Sequence, residues 1–138
     1  MRIFLDANIL FSAARADAAM RELLHLLHHA GHDLCADAYV VTEARRNLAA
    51  KEAGDAVAAL EVLLQVVSIK EAQHVDTGSL ECDWLPLKDR PVLRAAIALE
   101  CEALVTGDRT HFGAGYGKVF AGVTVLSPRQ LAEQLLGI

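Results

Sequence analysis

Cysteine is scarce and poorly placed for cross-linking: Cys35, Cys82 and Cys101 are odd in number, widely spaced and contain no C-x-x-C pair. That argues against a disulfide framework and against a thiolate zinc site, and buried unpaired thiols are expected instead. Long apolar runs are missing too. Nothing approaches the ~18 consecutive apolar residues of a membrane span, and MRIFLDANILF is broken by Asp6 and Asn8 where a secretory signal would stay apolar. The expectation is a cytoplasmic protein with no membrane association. Basic charge is also short: 13 Lys plus Arg stand against 18 Asp plus Glu, a formal net charge of −5. This disfavours a nonspecific duplex-DNA binder. A polyanion can still be held where basic residues are local to a site and a divalent metal neutralises the carboxylates around it.

What the chain does contain is core. Hydrophobic residues make up 54% of the 138 positions and charged ones 22%. That suits a single compact domain burying roughly two thirds of its unfolded surface. No repeat, linker or composition break divides it, so one domain over residues 1–138 is expected. RIFL reads as a short buried strand, and DANILFSAARAD as capping residues followed by a helix. From Ala18 to Ala30, Met20, Leu23, Leu24 and Leu27 recur at helical spacing before Gly31 ends the segment and DLCA offers a second strand. Ala38 to Ala53 reads as helix, a further helix runs from Gly54 toward Leu64, and QVVSI is the third strand candidate. EAQHVDTGSLECDWLPL is left unassigned. Asp89 and Pro91 open the helix RPVLRAAIALEC, which leads to the strand ALV and the turn TGD. VTVL is a strand, and Ser127 caps a last helix with Pro128 at its first position. Strands separated repeatedly by helices imply a three-layer α/β/α domain with a mainly parallel central sheet.

In such a sheet, ligand chemistry collects beyond the carboxyl ends of the strands. Asp6 follows IFL and Asp108 follows ALVTG, so both stand at that edge if their strands are neighbours. Asp89 at the start of one helix and Glu43 early in another project over the same edge. Each acid has a structural alternative: Asp6 and Asp89 as N-caps, Asp108 as a cap or turn residue, Glu43 as a solvated helix residue. Taken together they say more, because carboxylates gathered without a cation repel, and hard Mg²⁺ or Mn²⁺ is the natural partner for oxygen ligands.

The segments LDANIL, VTEARRNL, KDRPVLRAAIALECEALVTGD and the trailing THF resemble the PIN-domain family, including its VapC-like toxin ribonucleases, over nearly the full chain. Asp6, Asn8, Glu43, Asp89 and Asp108 occupy the family's acidic and asparagine places, and Thr106 its small hydroxyl position. The choice of Glu43 over nearby Glu52 rests on the resemblance. It implies Mg²⁺- or Mn²⁺-dependent hydrolysis of RNA, with Asp6, Asp89 and Asp108 chiefly holding metal and Glu43 ligating a second ion or positioning water. Thr106 would orient a metal ligand or bound water, and Asn8 would hold Asp6 or substrate. It also implies a homodimer and, for a toxin, a cognate antitoxin protein. Arg45, Arg46, Lys88, Arg90 and Arg109 flank the acids as candidate phosphate contacts.

Other features read as packing or surface. His25, His28, His29 and His32 form the polar face opposite Leu23, Leu24 and Leu27, His74 and His111 have no evident partner, and Trp84 is a packing residue. Three rival functions remain open: a housekeeping PIN nuclease in RNA processing, an aspartyl-phosphate phosphatase using Asp6, and a noncatalytic interaction module.

Overall fold

The computed structural model describes residues 1–51, 54–71 and 80–138, so Glu52 and His74 lie outside the described residues. The fold is α/β, with a mainly parallel sheet between helical layers. Its strands are β1 (Arg2–Leu5), β2 (Asp33–Ala36), β3 (Ser68–Ile69), β4 (Ala103–Val105), β5 (Val119–Phe120) and β6 (Val123–Leu126), arranged in the order β3-β2-β1-β4-β6-β5. All neighbours run parallel except β5 and β6. Ile3, Phe4 and Leu5 are wholly buried, as are the residues of ALV in β4, because central parallel strands are covered on both faces. The helices are α1 (Ala7–Arg15), α2 (Ala18–His29), α3 (Ala38–Ala50), α4 (Gly54–Leu63), α5 (Arg90–Ala98), α6 (Arg109–Phe112) and α7 (Pro128–Leu136). Helix α1 packs against α2, α3 and α4, while α5 lies on β4 and α7 on β6.

Acidic caps start most of these helices. Asp17 Oδ1 accepts from Met20 N and Asp37 Oδ1 from Val40 N, while Ser127 and Gln130 form a reciprocal capping box at α7 around Pro128. Asp6 and Asp108 cap α1 and α6 with one oxygen each. Asp89 sits at the start of α5 but its side chain makes no capping bond, which leaves both its oxygens for something else.

Two expectations need correcting. QVVSI is not a full strand: Leu64–Val66 forms a 3₁₀ turn and only Ser68–Ile69 pairs, at an exposed edge where β-branched residues have little core to join. His32 is not on the α2 face, since the helix ends at His29 and the chain turns through Gly31; His25, His28 and His29 are exposed as expected. Edge strand β5 went unforeseen. Its register pairs Phe120 with Val123, so Ala121 and Gly122 form a two-residue turn with both φ values positive, 48° and 86°. Asparagine usually marks such a turn, and alanine there hides it.

The three cysteines are free and buried, as expected. Trp84 packs: its ring stacks on Phe120 at 4.8 Å, meets Phe112 edge-on at 6.0 Å, and donates from Nε1 to Glu81 O at 2.7 Å. Gly115 closes this arrangement, because a Cβ there would stand 2.4 Å from the Trp84 ring. Gly115→Ala is expected to destabilise the fold by about 1–3 kcal/mol through overpacking. Urea unfolding checks this, and an unchanged midpoint would mean that the indole moves aside freely.

Candidate active site

The register of β1 on β4, with Leu5 opposite Val105, sets Asp6 beside Thr106 just past the carboxyl ends of the two strands. The hydrogen bond from Asp6 N to Val105 O at 3.1 Å continues the ladder by one step. Asp6 is 5% exposed. Its Oδ1 accepts from Ala7 N at 2.7 Å, and its Oδ2 accepts from Thr106 Oγ1 at 2.8 Å and from Asn8 Nδ2 at 3.1 Å. Burial nevertheless pushes the Asp6 carboxyl up to about 6, with the Glu43 charge adding to the rise and the hydrogen bonds opposing it.

Asn8 and Thr106 tie the two strand ends together. Asn8 donates to Thr106 Oγ1 at 3.2 Å and accepts from Gly107 N at 2.8 Å, while Thr106 Oγ1 also accepts from Asp108 N at 3.2 Å. Thr106 is therefore the link between the Asp6 carboxylate and the backbone that carries Asp108.

Asp89 and Asp108 meet over His111. His111 Nδ1 lies 2.9 Å from Asp89 Oδ2 and 2.9 Å from Asp108 Oδ2. The distances are short, yet the ring N–H points properly at neither oxygen, and the buried Asp89 Oδ2 and His111 Nδ1 have no hydrogen-bond partner. Burial raises the Asp89 carboxyl above the usual range, His111 and Lys88 pull it back, and the Asp108 charge raises it. Asp6, Glu43, Asp89 and Asp108, together with Asn8, all line one cavity of about 330 Å³.

A family model described as a PIN domain matches residues 2–110, the stretch that carries all four acids. The chain belongs to the PIN-domain family. No curated protein matches it in sequence. Among solved structures, this PIN domain is similar to a chain of the crystal structure of VapBC2 from Rickettsia felis bound to a DNA fragment from their promoter. The TM-score is 0.66 at 17% identity, over 92% of this chain and 98% of that one. At that identity the likeness concerns the fold.

PIN domains are a family of nucleases that generally use divalent ions, and the donor set of this PIN domain suits one. Asp89 and Asp108 with His111 place one ligand atom each within 4.8 Å of one another, Asp6 and Glu43 line the same cavity outside that group, and Asp89 Oδ2 lacks a partner.

The structure redistributes the candidate cations. Arg45 is spent on α4, where Nε and a terminal nitrogen donate to the two Glu61 oxygens at 2.8 and 3.1 Å. Arg90 is tied to the loop before α5, donating to Leu85 O at 2.9 Å and Asp83 O at 3.2 Å. Arg46 lines an adjoining groove with Tyr39, Thr42 and Glu43, and Arg109 is exposed beside Asp108. The cations lining the acidic cavity are Lys51 and Lys88. Lys51 and Asn47 went unnoticed in the sequence, though both follow Glu43 at four-residue steps and so share its helical face. His111 was missed as well, and its signal was its position three residues after Asp108, one turn on.

Proposed function

We propose that this PIN domain, as one domain over residues 1–138, is an Mg²⁺- or Mn²⁺-dependent endoribonuclease and the toxin of a type II toxin–antitoxin pair. The observation that carries the reading is the convergence of Asp6, Glu43, Asp89 and Asp108 on one cavity edged by Lys51 and Lys88. Asp6, Asp89 and Asp108 would hold the ion, and exposed Glu43 would ligate a second ion or position the attacking water. When bound, the ion neutralises phosphate charge and lowers the pKa of a water. Asn8 and Thr106 fix the Asp6 carboxylate through the hydrogen bonds above, so its orientation would be set before an ion or substrate arrives. Arg46, Lys51, Lys88 and Arg109 would contact the phosphate backbone. RNA is a polyanion that an acidic cavity repels, and cations on the rim together with a bound ion would offset that repulsion.

The toxin assignment draws on the fold shared with VapBC2, whose solved form is a complex bound to promoter DNA. By analogy, this chain would pair with an antitoxin, act in the cytoplasm and form a homodimer; sedimentation showing only monomer would exclude the last. No helix among the described residues is long and apolar enough to cross a membrane. The aspartyl-phosphate reading loses ground on geometry. Asn8 stands where such a phosphatase would carry a second aspartate, and its side chain is committed to Asp6 and Gly107.

Purified protein incubated with a mixed RNA pool is expected to cut internal linkages with Mg²⁺ or Mn²⁺ and to stop in excess EDTA. Cleavage that persists in EDTA would sink the metal mechanism. Preferential cutting of DNA would redirect the substrate, and release of phosphate from small phosphomonoesters would restore the phosphatase reading.

A further inference from the structure

His111 lies against two residues that line the cavity, Asp89 and Asp108, but the roles above give it none. It sits in the single turn of α6, fixed on one side by its own N–H donating to Asp108 Oδ1 at 3.1 Å and on the other by wholly buried Phe112. This backbone anchorage brings Nδ1, and not the more distal nitrogen, between Asp89 and Asp108. A histidine placed there only as a counter-ion would align its N–H with one carboxylate. Here the atom is buried, 2.9 Å from two oxygens, and aligned with neither. Adjacent ligands of an octahedral ion at ~2.1 Å stand about 3.0 Å apart, which is the spacing these three atoms already keep on both His111 edges.

We infer that His111 Nδ1 is itself a metal ligand, so that Asp89, Asp108 and His111 make a mixed nitrogen–oxygen site that takes Mn²⁺ in preference to Mg²⁺. The inference rests on the metal-dependent reading above and refines it. Mn²⁺, though mainly an oxygen binder, is a transition ion that accepts an imidazole nitrogen more readily than Mg²⁺, which dehydrates reluctantly and keeps to carboxylate, carbonyl and water oxygens. An all-carboxylate site of the same charge would discriminate less between the two ions.

The test reads the metal and not the reaction. Full-length protein is titrated with Mn²⁺ alone and studied by electron spin-echo spectroscopy, in which a directly bound imidazole nitrogen modulates the Mn²⁺ echo. The expected result is a nitrogen modulation in the parent protein that vanishes in His111→Asn. That variant's Mn²⁺ affinity should fall about tenfold, with a smaller change for Mg²⁺ in competition, because the amide oxygen substitutes a harder donor. His111→Gln gives a second variant should the first misfold, and the parent spectrum stands without either. Mn²⁺ bound with oxygen ligands only would overturn the role of His111 and leave the nuclease reading intact. Failure to bind Mn²⁺ at all would overturn both.

Discussion

Asp108→Asn is expected to lower the rate of RNA cleavage by at least ~10²-fold, about 2.7 kcal/mol in the barrier, while leaving the metal-free protein as stable as its parent or more so. The two halves of this expectation come from the two oxygens of one side chain. Oδ1 caps α6 through His111 N, and asparagine caps nearly as well, giving up only a helix-dipole contribution of ~0.3–1 kcal/mol. Oδ2 lies 2.9 Å from His111 Nδ1, as does Asp89 Oδ2, and the Asp89 carboxyl is raised in part by the Asp108 charge. Removing that charge relieves repulsion in the metal-free state and removes a ligand in the metal-bound state. Thermal unfolding with and without Mn²⁺ should therefore show a smaller metal-induced stabilisation in the variant. A folded variant with parental cleavage and parental metal response would reduce Asp108 to a cap.

Thr106→Val should be almost as damaging, although Thr106 touches neither solvent nor substrate. Its hydroxyl donates to Asp6 Oδ2 and accepts from Asn8 Nδ2 and Asp108 N, so one atom orders three of the site's groups. Valine keeps the shape and leaves these partners short of a bond in a wholly buried place, for a loss of about 1–3 kcal/mol in stability. Loss of a positioning partner of this kind is expected to weaken metal binding or activity about 10–100-fold. The pH response separates this from general destabilisation. In the metal-free parent, Asp6 binds its proton more tightly folded than unfolded, so its contribution favours the fold below the ordinary value of 3.8 and is lost as pH rises toward about 6. Removing the Thr106 hydrogen bond, which lowers the Asp6 pKa, extends that decline to higher pH and moves the acidic limb of the activity profile the same way. Thr106→Ser should restore both. If the Val variant kept the parental pH profile, Thr106 would be a packing residue only.

The elements that sequence revealed well are those whose local chemistry agrees with their burial. RIFL, DLCA and VTVL are strands with their expected bounds because they are buried runs between clear caps and turns. That the four acids share one cavity was legible because strand ends and helix starts can be placed without knowing side-chain contacts. Elements that owe their form to tertiary pairing were not: Ser68–Ile69 and Val119–Phe120 are two-residue edges with no periodicity to detect. Cations were the least legible of all. Arg45 and Lys51 lie on or beside the same helix, and only the position of Glu61 on α4 decides that the first is occupied. His111 shows the same limit, since its partner Asp89 is 22 residues away and joins it only through the packing of α5 against β4.

The pairing of β1 with β4 also sets an order in time. Asp6 and Thr106 are separated by 100 residues, and Asn8 and Gly107 by 99, yet each pair shares a hydrogen bond. During synthesis the ribosome delivers Asp6 first, when the strand that will hold it in place has not been made, and such distant pairings close slowly because the intervening chain must first be ordered. A chain that stops before residue 103 carries Asp6, Glu43 and Asp89 but lacks β4, Thr106 and Asp108. On the proposed function, this topology would keep the nascent polypeptide harmless to the message and the ribosome producing it until β4 and Asp108 have emerged.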